Sequence, residues 1–174
     1  MKTRNIALCA LLSALGVVVL SLGSLLDSLD LTVACITSLL CLFAVIELGV
    51  GPAFCVWGVT SVLSFILLPV KFTAFEYFAY AGLYPILKYL IETKIGMPPL
   101  RAVCKFVYYA VLLAALYAAS RIFVFEMETG WLLVATAVLA LVAFVLFDFL
   151  LSKLVIIYHL KWRKRLRVER LMKK

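Results

Sequence analysis

The sequence predicts an all-α, polytopic membrane protein, a bundle of six transmembrane helices. Three observations carry that prediction. The chain is 67% hydrophobic and only 15% charged, where a soluble domain carries about 45–50% apolar and about 25% charged residues. Its apolar residues fall into six runs, each near the roughly 20 residues that cross about 30 Å of hydrocarbon. Its basic residues collect on one side of the alternation those runs define. The 174 residues suit one compact helical domain over 1–160, followed by a basic tail over 161–174.

The first run, 6–26, contains no charge. Lys2 and Arg4 before it are the flank a signal peptide would have, but no small-x-small cleavage pattern follows and five more runs do. It is read as a retained helix. The second run, 31–48, follows an acidic turn holding Asp27 and Asp30. The third, 53–68, is opened by Gly51-Pro52 and closed by Pro69. The fourth is 72–91, and the turn after it holds Gly96, Pro98 and Pro99. The fifth and sixth are 102–125 and 131–157. With the N-terminus inside, 15 of the 17 basic residues lie on inner flanks, and only Lys71 and Arg121 lie outside. Cytoplasmic termini in a cell membrane follow. The tail carries eight basic residues and Glu169, and positive-inside topology explains it without nucleic acid.

The stretch 69–92 is the one the other helices are expected to gather around. Seven of its 24 residues are Phe or Tyr. Read as a helix, Glu76, Tyr80, Tyr84 and Lys88 recur every fourth residue and make one polar stripe. Lipid cannot satisfy such a stripe, so it must face protein or water. Pro85 lacks the N–H that Ala81 would bond, and Gly82 lies beside the gap, so a kink is expected there.

Chemistry is expected at the outer mouth. Lys71, Phe72, Phe75, Glu76 and Tyr80 lie together at the top of the fourth run. Arg121, Glu126, Glu128 and Trp131 bound the last outer loop. Rings that stack on a flat ligand, with a few charges to orient it, are the parts of a shallow site for a small organic molecule. Glu76 also has a structural reading, as the ion-pair partner of Lys71 or Arg121. On the inner side, Lys88 is expected to pair with Asp148 or Glu47. The cysteines at 9, 35, 41, 55 and 104 show no C-x-x-C spacing and read as small buried hydrophobes, not as metal ligands or disulfides. One histidine, His159, does not make a metal site. The chain lacks G-x-S-x-G, H-E-x-x-H and a phosphate-binding glycine loop, so neither an enzyme nor a cofactor is expected. Small residues mark the first helix at Ala7, Ala10, Ala14, Gly16 and Gly23, and the Ala10–Ala14 spacing lets another helix come close.

The opening, MKTRNIALCALLSALGVVV, has a short basic end running into an alanine-rich helix with Ala10-Leu-Leu-Ser-Ala14. With its size and six helices, the chain resembles the substrate-capture (S) subunits of energy-coupling-factor transporters. The resemblance implies a subunit that binds a vitamin or other small metabolite near the outer face. It also implies that Ala10 and Ala14 contact a transmembrane coupling subunit, which works with two ATPase subunits. The metal-type subunits carry an N-terminal histidine that this sequence lacks. The alternative class is a non-transporting membrane scaffold, such as a rod-shape protein of the MreD type. It shares the short helices, the basic end and the absence of catalytic residues.

Overall fold

A computed structural model of the chain describes residues 3–24, 30–122 and 131–158. Among them every regular element is helical: α1 (Thr3–Ser24), α2 (Asp30–Leu48), α3 (Val50–Leu67), α4 (Lys71–Glu76), a π-turn (Tyr77–Ala81), α5 (Tyr84–Lys94), α6 (Pro98–Ile122) and α7 (Trp131–Ile157). Counting α4, the π-turn and α5 as one interrupted segment gives the six segments expected. The fold is all-α, and α1, α3 and the 137–157 part of α7 are long and apolar enough to cross a membrane. The tail over 161–174 lies outside the described residues.

Two compact units divide the chain, Met1–Leu112 and Leu113–Lys174. In the first, α1 packs on α2 and α3, and α2 also meets α3, α4, the π-turn and α5. α3 likewise meets α1, α2 and the three pieces of the fourth segment, and that segment, counted as one, meets α1, α2 and α3. The buried residues of α2 are Ala34, Thr37, Ser38, Cys41, Leu42, Ala44 and Val45, all but Leu42 and Val45 small, so neighbours can approach it closely. The apolar centre joins Cys9 and Leu12 of α1, Cys41 and Val45 of α2, Ala53 and Val56 of α3, and Ile86 of α5.

α1 has two faces. Cys9, Leu12, Ser13, Gly16, Val17, Leu20 and Gly23 are buried. A Cβ on Gly16 would sit 3.0 Å from the Thr60 methyl and 3.3 Å from that of Thr37. One on Gly23 would sit 2.7 Å from Val33. These are the points where α1 comes closest to α2 and α3, and Ser13 Oγ donates to Val56 O across the same seam at 3.5 Å. The opposite face carries Ala7, Ala10, Leu11, Ala14, Leu15 and Val18, all exposed.

Between α2 and α3 a single residue turns the chain. Gly49 has φ 92°, a conformation L side chains rarely adopt. The Ala53 N–H bonds its carbonyl at 3.2 Å. Pro52 falls in the first turn of α3, where its missing N–H has no helical partner to lose. All five cysteines are free thiols. Cys9 and Cys41 are buried as expected, whereas Cys55 is exposed on α3.

In the second unit, Phe144, Phe147 and Leu151 make the buried stripe of α7. Ser152 Oγ donates to Asp148 O at 2.9 Å, and Lys153 Nζ lies 5.2 Å from the centre of the Phe149 ring.

Candidate functional site

The fourth segment is where the sequence and the structure both concentrate polar and aromatic groups. α4 starts at Lys71, whose Nζ donates to Phe65 O at 2.7 Å and to Leu68 O at 2.8 Å. The ammonium thus caps the open carbonyls at the end of α3, a favourable place for a cation. Beyond it, Phe72 is exposed, Phe75 and Glu76 are partly buried, and Tyr80 is buried. The Oε2 atom of Glu76 is enclosed by protein. Lys71, Phe72, Phe75, Glu76 and Tyr80 therefore share one short stretch, as expected. Trp131 is 77% exposed at the start of α7. The side chain of Arg121, and Asp27, Glu126 and Glu128 altogether, lie outside the described residues.

Where a kink was expected, the α-helical bonding is interrupted by a π-turn. The Gly82 N–H bonds Tyr77 O at 2.7 Å, one residue further back than in an α-helix. Pro85 follows, in the first turn of α5. The bypassed carbonyls are met from outside the segment. Trp57 Nε1 of α3 donates to Phe78 O at 3.1 Å. Tyr108 of α6 donates its hydroxyl to Ala79 O at 2.7 Å and lies 3.4 Å from Tyr80 O. A low-dielectric interior makes an unmet carbonyl costly, and these two side chains remove that cost.

Aromatic packing reinforces both clamps. The Trp57 and Phe78 rings stack at 5.1 Å with 20° between planes, and Phe65 meets Phe78 edge-on at 6.1 Å. On the other flank Tyr84, fully buried, stacks on Tyr80 at 6.5 Å and on Tyr108 at 5.5 Å. Gly82 is required for this closeness. A Cβ there would stand 2.6 Å from Trp57 Cδ1 and 2.8 Å from Tyr77 Cζ.

One turn beyond Tyr84 the stripe ends in charge. Lys88 is 2% exposed, and its Nζ lies 3.3 Å from Glu92 Oε1. The same oxygen accepts from Lys105 Nζ of α6 at 3.0 Å. The sequence named Glu47 and Asp148 for Lys88 and passed over Glu92, because it ended the fourth helix at residue 91. α5 runs on to Lys94, which brings Glu92 one turn from Lys88. Two other contributors, Trp57 and Tyr108, were also missed. They lie 21 and 29 residues from the carbonyls they hold, and no local pattern marks such a pair.

Compared with family models, with curated proteins and with solved structures, the chain gives no match.

Proposed function

We propose that the protein is a membrane-embedded substrate-binding subunit of an energy-coupling-factor type uptake system. It spans the cell membrane six times with both termini in the cytoplasm. The observation that carries this reading is the exposure of Ala10 and Ala14. Their spacing leaves a shallow groove on α1, and within the first unit's described residues α1 packs on α2 and α3 through Gly16 and Gly23 instead. A groove that serves no internal contact suits a partner's helix, here that of a coupling subunit driven by two ATPases. The ligand is a small organic molecule held at the outer end of the fourth segment, among Phe72, Phe75, Glu76 and Tyr80. Acids outnumber bases around that mouth in the sequence, so the ligand is neutral or cationic and carries a flat ring.

Native mass spectrometry of the protein purified from its own membranes tests the ligand. The expected result is a bound small molecule that washes out on heating. Protein that is ligand-free in every preparation would remove the substrate-binding role. Topology is tested separately by single-cysteine labelling. Positions 28 and 128 are expected to label from outside and position 96 only from inside.

The second reading, a membrane scaffold, is favoured by a different observation. Much of the polar equipment of the fourth segment already has structural work. Lys71 caps α3, Trp57 and Tyr108 hold the π-turn, and Glu92 joins Lys88 to Lys105.

A further inference from the structure

We infer that the π-turn is a latched hinge, through which the fourth segment rotates its inner half against its outer half. The inference goes beyond the proposed function and does not depend on it. A π-turn holds one residue more than an α-turn, so reverting to α-helical bonding rotates everything beyond it by about 100°. The reversal exchanges partners within the turn, and the bond at its end shows how. The Gly82 N–H leaves Tyr77 O and takes Phe78 O, the next carbonyl on. Trp57 Nε1 stands on that oxygen now, and the Tyr108 hydroxyl stands on the one after it.

The surroundings are arranged for such an exchange. Pro85 has no N–H, so one rung of the ladder between the π-turn and α5 is missing in either state. The indole lies directly over Gly82, where even a methyl group does not fit, so release of the indole and movement of the turn go together. The consequence falls on α5. Rotation carries Tyr84 and Lys88 out of the interior and draws Glu92 away from Lys105. The outer end, Lys71–Glu76, stays tied to α3 through the Lys71 cap. Trp57 and Tyr108 are thus positioning residues, and their clamps set which of the two rotational registers α5 adopts.

The test uses the full chain in lipid nanodiscs, with native cysteines replaced and nitroxide labels at two exposed positions. One pair, Ile6→Cys with Thr93→Cys, reports α5 against α1. The other, Ile6→Cys with Val62→Cys, reports α3 against α1. Double electron–electron resonance is expected to give one distance for each pair in the parent. Adding Trp57→Phe and Tyr108→Phe together is expected to bring in a second distance for the α5 pair. Its displacement is roughly 8 Å, the chord that a turn of about 100° sweeps at the radius of a helix with side chains. The control pair is expected to keep its single distance. Each substitution alone leaves one clamp and gives a smaller second fraction. An unchanged α5 distance in the double variant overturns the hinge. So does equal broadening of both pairs, which would mean that Trp57 and Tyr108 hold the whole unit together and not the turn.

Discussion

α1 meets its neighbours where side chains are smallest, at Ser13, Gly16 and Gly23, whereas the fourth segment meets them through Tyr77, Tyr80, Tyr84 and Lys88. Both are buried against α2 and α3. In α1 the backbones approach, and the buried polar groups, the Ser13 and Ser24 hydroxyls and the Cys9 thiol, each reach a nearby backbone carbonyl. In the fourth segment an irregular backbone and a charged group are brought inside; the π-turn carbonyls take partners from α3 and α6, and Lys88 takes Glu92, which also binds Lys105 of α6. The first kind of contact is tolerant of what surrounds it and sensitive to added volume. The second is sensitive to loss of a single donor. Burial alone therefore does not tell which substitutions a helix will bear.

The contrast is sharpest at Gly82, where both kinds coincide. Gly82→Val puts volume into the 2.6 Å gap beside Trp57 and forces the clamp on Phe78 O open. It is expected to lower stability by about 3 kcal/mol, read as a fall in the thermal midpoint of the detergent-solubilised protein. A midpoint equal to the parent's would mean the indole moves aside freely. Glu92→Ala comes next. It removes the shared acceptor of Lys88 and Lys105 and is expected to cost about 2 kcal/mol, the range for hydrogen bonds to charged groups. Because Glu92 is partly exposed, high salt should narrow the difference between parent and variant. Lys71→Ala removes only the cap at the end of α3 and is expected to cost about 1 kcal/mol or less. A larger loss, or a loss of ligand binding without any change in midpoint, would show that Lys71 does more than cap.

How much of this was legible in the sequence follows the same division. The six segments were, because an uninterrupted apolar run has one cheap conformation in lipid. Their observed limits differ from the expected ones by a few residues at the ends. The break at Gly82 and Pro85 was legible too, since both residues act on their own backbone. The π-turn was not, because the side chains that meet its carbonyls, Trp57 and Tyr108, arrive from α3 and α6. The small residues of α1 were visible as a set, but their division into an inner pair, Gly16 and Gly23, and an outer row, Ala7, Ala10 and Ala14, depends on where α2 and α3 pack. Of the expected ligand residues, the cluster from Lys71 to Tyr80 follows from proximity along one helix. Its relation to Arg121 and Glu126 does not, since they belong to another part of the chain.

The outer row of α1 gives the most direct test of the central claim, that the bundle closes without Ala10 and Ala14 and leaves them for a partner. Both are exposed, so Ala10→Trp with Ala14→Trp is expected to change stability by no more than about 0.5 kcal/mol. Affinity purification from native membranes, followed by a thermal melt of the same sample, measures both halves of the claim at once. The account predicts a near-parental midpoint together with loss of the co-purifying coupling subunit and ATPases. A depressed midpoint would place this face inside the protein's own packing, and partners retained at parental levels would show that docking lies elsewhere.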